Sequence, residues 1–203
     1  MSTFYLLAST TTTRITTSWP WYLTRASGLV AAGLLILLMI TGISMFTGYQ
    51  FKIMEPLKSW TNHRTLGIAF SIAASVHVLS LLFDKYITFT IVQVFVPFTS
   101  QYKHVHIGSI GIGSFGVALG VISMYLVVAI VITSINRIMT KRQTVWRWTH
   151  YLSYLVIGFI FLHSIMIGTD LKNGLWRWVW VGLNVVILGF IGLRLRRTGS
   201  LSD

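Results

Sequence analysis

The sequence predicts an all-α fold: a polytopic membrane helix bundle of about five transmembrane helices, with the N-terminus outside and the C-terminus cytoplasmic. Three observations predict it. Hydrophobic residues make up 54% of the 203 residues and charged residues 10%, against about 25% charged in an average soluble domain. Five apolar runs are near or above the roughly 18 uncharged residues that mark a membrane span. The 16 Lys and Arg divide six to ten between the two sides that five spans create, and the richer side, which holds the C-terminus, is cytoplasmic by the positive-inside rule.

Residues 1–20 are Thr-rich and only weakly apolar, with Arg14 interrupting them, and read as a flexible or interfacial lead-in. Trp19, Trp21 and Tyr22 form an aromatic belt at a membrane surface. The first helix runs from about Ala26 to Phe46 and the second from about Asn62 to Phe83, joined by a loop with Lys52, Glu55, Pro56 and Lys58. The apolar stretch Tyr86–Phe98 is too short to span and is expected to be interfacial or re-entrant. The third helix lies within Gly108–Asn136, and its glycines (Gly108, Gly111, Gly113, Gly116, Gly120) permit close helix packing. The fourth runs from about Trp148 to Ile167 and the fifth from about Trp176 to Leu193, ending in Arg194, Arg196 and Arg197. Short connections make sequential helices antiparallel neighbours. No internal repeat stands out.

Composition removes several kinds of chemistry. The chain has no cysteine, so disulfides, thiolate metal sites and cysteine nucleophiles are impossible. Glu55, Asp84, Asp170 and Asp203 are the only acids, which nearly excludes paired-carboxylate catalysis. A net charge of +12 suggests nucleic acid in a soluble domain. Here it is topology, and no nucleic-acid partner is expected.

Four of the six histidines fall on two helices. His63 and His77 stand 14 residues apart on the second, His150 and His163 stand 13 apart on the fourth. An ionisable residue inside a membrane is costly and functional by default. A rise of about 1.5 Å per residue separates the first two by about 21 Å and the second two by about 20 Å. Two crossings separate these helices, so they run in the same direction. His63 then shares a depth with His150 near the cytoplasmic face, and His77 with His163 near the outer face. Imidazole is a common axial ligand of haem iron, and two stacked bis-histidine b haems would make an electron path across the bilayer. Bound zinc or iron without a porphyrin wants three or four protein ligands per site, and each depth offers two. A proton relay wants intramembrane carboxylates, which are absent. Angles fit less well: 14 residues return to within about 40° of one face, whereas 13 miss it by about 140°. Different ring tilts, a local helix distortion near Gly158, or cofactors approached from different sides would each reconcile the two.

The residues WYLTRASGLVA (21–31), NHRTLGI (62–68) with His77, VPFTSQY (96–102), WTHYLSY (148–154) and HSIMIGTD (163–170) resemble the ferric reductase-like transmembrane domain, the haem core of ferric reductases, NADPH oxidases and the periplasmic methionine-sulfoxide reductase haem subunit. The resemblance covers about residues 21–195, and the paired 14- and 13-residue histidine gaps are its specific part. It implies a haem domain over 21–197 followed by a short cytoplasmic tail, 198–203. It implies two b-type haems, an inner one on His63 and His150 and an outer one on His77 and His163, with electrons moving from the cytoplasmic side to the outer side of the cell membrane. The family core has six helices, so this chain is expected to lack the first, which suits an outside N-terminus. Family oxidases carry a flavin and nicotinamide domain after the last helix. No G-x-G-x-x-G follows a strand here, so the expected donor is a separate protein, a quinol or a loosely bound flavin, with an acceptor on the outer side. The competing readings are a single-haem anchor for a periplasmic enzyme and a non-redox haem or iron carrier.

Haem propionates need cations. Arg64 and Arg147 are candidates at the inner haem and Arg25 at the outer, against the commoner anchoring role of such residues. His104 and His106 lie in the outer loop, either solvated or near the outer haem. Trp146, Trp148, Trp176, Trp178 and Trp180 read as belt residues, Asp170 as a helix-end or loop residue, and Met39, Met45, Met124 and Met166 as packing.

Overall fold

A computed structural model describes residues 2–48, 52, 55–102, 106–107, 110–111, 113–140, 143–171 and 174–199. Helix α1 is continuous over Ser2–Phe46, with Pro20 inside it, so residues 2–20, expected as a lead-in, are helical and run into the first span. In lipid every polar group needs an internal partner, and α1 meets this by turning hydroxyls back on its own carbonyls: Ser27 donates to Leu23 O at 2.6 Å and Thr47 to Ile43 O at 3.0 Å. The helix ends where Gly48 takes φ 74°, the left-handed geometry that glycine adopts without a Cβ penalty.

Helix α2 spans Pro56–Leu81, starting six residues before the expected Asn62. Pro56 occupies the first turn, where its missing N–H costs nothing. At about 1.5 Å per residue the helix is about 39 Å long against a hydrocarbon layer of about 30 Å, so apolarity alone reported a shorter element. The 86–98 segment contains α3, Ile91–Phe95, started by a capping box between Thr90 and Gln93. Tyr125 ties it down by donating to Phe95 O at 2.7 Å. The segment before the third span forms a two-residue antiparallel ladder, β1 (His106–Ile107) with β2 (Ile110–Gly111), which leaves the all-α class intact.

Helix α4 is Gly113–Thr140. The expected fourth helix is two pieces, α5 (Gln143–Tyr151) and α6 (Ser153–Ile167). The interruption falls at Leu152, not near Gly158: Leu152 N–H reaches Thr149 O at 3.1 Å and Leu155 N–H reaches Leu152 O at 3.0 Å, both three residues back. Such a step turns about 120° per residue where an α-helix turns about 100°, so the tightening recovers part of the missing rotation between His150 and His163. A 3-10 turn, Thr169–Leu171, leads to α7, Leu175–Gly199. Among the described residues five helical stretches are long and apolar enough to cross a membrane: 18–46, 56–81, 113–135, 143–167 and 175–192.

The helices form two hairpins, α1 against α2 and α4 against α5–α6, with α7 packed on α1. The core gathers Leu35, Ile36 and Met39 of α1, Phe70 of α2, Val156 and Ile157 of α6, and Ile187 and Ile191 of α7. Trp180 joins it rather than the belt: it is 8% exposed and donates Nε1–H to Ser164 Oγ at 2.8 Å. Trp148, Trp176 and Trp178 are exposed, as belt residues are. The two histidine-bearing helices, α2 and α5–α6, are not among the extensively packed pairs, and their spans are the least buried of the five. They face each other across a gap that side chains must fill.

Candidate functional site

The gap is where the histidines meet. The structure brings His63 to His150, with ring centroids 6.2 Å apart and planes at 55°, and His77 to His163, at 6.4 Å and 87°. These are the two pairs expected from depth. Two imidazoles that ligate one metal through a nitrogen each, with bonds of about 2.0–2.1 Å, set their centroids about 6 Å apart. Edge-to-face packing alone tolerates the same spacing, so the hydrogen bonds on the far sides of the rings decide what the pairs are suited to.

His77 Nδ1 lies 2.9 Å from Thr24 O of α1, and His163 Nδ1 lies 2.9 Å from Gly116 O of α4. A carbonyl only accepts, so Nδ1 carries the proton in both and donates it. Nε2 then keeps its lone pair and is directed away from the acceptor helix. Both rings are seated by the same device. Four residues after each acceptor is a glycine, Gly28 or Gly120. A Cβ on Gly28 would stand 2.9 Å from His77 Nδ1, and one on Gly120 would stand 2.5 Å from His163 Cε1. The missing side chain is the space the ring occupies. Thr24 also holds Ser80 of α2 through their hydroxyls at 2.7 Å, which pins the turn after His77. On the inner level, His63 Nδ1 lies 3.0 Å from Thr41 Oγ1, and a Cβ on Gly42 would come within 3.3 Å of His63 Cε1. His150 stacks beside Trp146, with centroids 5.1 Å apart.

Metal-bound histidines characteristically donate the other ring N–H to a carbonyl or carboxylate, which fixes the tautomer and raises the basicity of the ligating nitrogen. His77 and His163 meet that requirement through carbonyls of α1 and α4, and His63 faces a hydroxyl of α1 in the same place. Among the described residues no group of three or more His, Cys, Asp or Glu gathers. Two imidazoles per level therefore suit a metal whose remaining ligands travel with it, as in a porphyrin. The residues present fit a haem at each level.

The arginines divide. Arg25 is held by Asp170: its Nε donates to Oδ2 at 2.9 Å, a second bond joins Nη2 to Oδ1, and its guanidinium lies 4.1 Å from the centre of the Trp21 ring. Asp170 sits in the 3-10 turn after α6, so this pair ties α1 to the end of the His163 helix. Arg64 and Arg147 are exposed beside their histidines. His104 lies outside the described residues, and of His106 the structure describes the backbone. Met39 and Met45 are buried as packing residues. Thr24, Gly28, Thr41, Gly42, Gly116 and Gly120 were not candidates from sequence. The α4 glycines were expected to bring helices close, and Gly116 does so against Met166 and Ile167. Gly120 serves the histidine instead.

A model of the family described as ferric reductase like transmembrane component matches residues 27–162, which takes in His63, His77 and His150 and stops one residue before His163. No curated protein and no solved structure gives a match.

Proposed function

The chain belongs to the ferric reductase-like transmembrane family, and from that membership and its two histidine pairs we propose that it is a di-haem b-type cytochrome, the membrane electron-transfer component of an oxidoreductase. The observation that carries the proposal is the pairing itself: two imidazole pairs at two depths, with rings 6.2 and 6.4 Å apart in a gap between helices. His63 and His150 hold the inner haem, His77 and His163 the outer. When bound, each haem would supply a one-electron ferric/ferrous centre whose potential the ligating histidines and their hydrogen bonds would tune.

The protein's part is to bind, orient and insulate. Thr24 O and Gly116 O hold the outer imidazoles as Nδ1–H tautomers, leaving Nε2 for iron. Gly28, Gly42 and Gly120 let α1 and α4 press against the backs of the rings. The apolar spans keep water out, so charge enters as an electron without an accompanying hydrated ion. Arg64 and Arg147 place positive charge at the inner level for propionates. Arg25 offers its remaining guanidinium N–H donors at the outer level while anchored by Asp170. Electrons pass from the cytoplasmic side to an acceptor on the outer side of the cell membrane, and a separate protein, a quinol or a loosely bound flavin delivers them. The N-terminus is outside and the C-terminus cytoplasmic.

The test is the absorption spectrum and haem content of the purified full-length chain. The expected result is a bis-histidine b-type spectrum and two haems per chain. His77→Ala and His163→Ala each remove one and the same haem, and His63→Ala and His150→Ala each remove the other. A colourless protein from haem-replete cells would falsify the proposal, and the loss of both haems in each folded single variant would overturn the pairing.

A further inference from the structure

The inner level differs from the outer one in a way that has a consequence. His77 and His163 are held by backbone carbonyls, which no side-chain substitution removes. His63 is held by a side chain. Thr41 Oγ1 lies 3.0 Å from His63 Nδ1, and two groups at that distance need one donor between them. The threonine hydroxyl has a single proton, and it is committed elsewhere: Oγ1 donates to Leu37 O at 2.8 Å, with Leu38 O at 3.1 Å. Oγ1 therefore accepts, and His63 donates from Nδ1–H. The ring is seated over Gly42, whose hypothetical Cβ would meet its Cε1 at 3.3 Å. Both position and donor state of His63 thus trace to two adjacent residues of α1.

We propose that Thr41 is the positioning residue of the inner level, holding His63 in the Nδ1–H tautomer and thereby setting the ferric-over-ferrous preference of the iron that His63 ligates. This rests on the di-haem reading above. An acceptor on Nδ1–H makes Nε2 a more electron-rich ligand, which favours the ferric state. Reduction adds one electron to the iron, and the Nδ1 proton stays where it is, so Thr41 acts on the equilibrium without itself gaining or losing a proton. Removing the acceptor shifts the preference toward ferrous iron.

The test is a reductive titration, with dithionite as reductant, of the purified haem-loaded full-length chain. Thr41→Val keeps the shape and removes the acceptor. It is expected to lower the ferric-over-ferrous preference of one haem about tenfold, an upward shift of about 59 mV for one electron, with the other haem unmoved. The haem that shifts is the one absent from His63→Ala. Thr41→Ser keeps the acceptor and is expected to titrate as wild type, and Thr41→Ala repeats the Val test with different packing. Selective loss of the inner haem in Val or Ala, with Ser retaining it, also supports the role, since such partners are worth about 10–100-fold in metal affinity. Wild-type titration by haem-loaded Val and Ala variants overturns it, as does loss of both haems in both. A wild-type chain without haem refutes the di-haem reading first and this one with it.

Discussion

Gly120→Ala tests the seating of the outer histidines most directly. The added Cβ would stand 2.5 Å from His163 Cε1 and 2.6 Å from Nδ1, where ordinary carbon contacts are about 3.5–4.0 Å. The ring must retreat by about 1 Å, measured against that contact distance. Its Nδ1 is 2.9 Å from Gly116 O, so the same retreat breaks the bond. Overpacking costs about 1–3 kcal/mol, and a buried donor left without its partner about 1–3 kcal/mol. Replacing a helical glycine by alanine returns about 1 kcal/mol. The net expectation is a loss of about 3 kcal/mol on these terms, with the outer haem depleted and the inner one retained. Gly158→Ala is the control. It lies on the His163 helix with nothing within 4 Å of the new Cβ, so propensity alone acts and the variant gains about 1 kcal/mol. The assay is equilibrium unfolding in mixed micelles together with haem content. If Gly120→Ala unfolds like Gly158→Ala and keeps both haems, the glycine does not make room for the ring.

Arg25 and Asp170 are each about one-third exposed and doubly bonded, so a double-mutant cycle with Arg25→Ala and Asp170→Ala should return a coupling of about 1 kcal/mol; strictly additive losses would show that the pair does not tie α1 to the end of α6. Trp180→Phe removes the donor to Ser164 Oγ but leaves Ser164 donating to Phe161 O at 2.8 Å. It should cost about 1–2 kcal/mol in unfolding, mostly one hydrogen bond, without altering the haem spectrum. An altered spectrum would mean that α7 reaches the site.

The histidine pairs were legible because depth is a local property. Rise per residue is fixed by the helix, so gaps of 14 and 13 residues match two levels on two helices that run in the same direction, and the structure brings His63 to His150 and His77 to His163. The break at Leu152 was not legible at its position. Nothing in Tyr151-Leu152-Ser153 breaks a helix by propensity, and Gly158, the residue that would, lies in an unbroken stretch. Trp180 misled for a related reason: Trp148, Trp176 and Trp178 are exposed as a belt would have them, and only the packing of α7 puts the indole of Trp180 against Ser164. The cradles of Thr24 with Gly28 and of Gly116 with Gly120 repeat between the two hairpins, although no sequence repeat stands out, because the device needs only a carbonyl and a missing side chain one turn apart.

Apolar length and helical rise follow from the chain alone, so the five candidate spans, the all-α class and the matched spacing of the histidines could be read without coordinates. The tertiary structure decided which way each ring faces, which nitrogen keeps its proton, that Arg25 is held by Asp170, and that Thr41 stands behind His63. These depend on how each helix is rotated about its axis. In water that rotation is written as an apolar stripe facing a polar one. In a bilayer both the lipid and the core are apolar, so the stripe vanishes, and only the packed bundle shows which residues look inward.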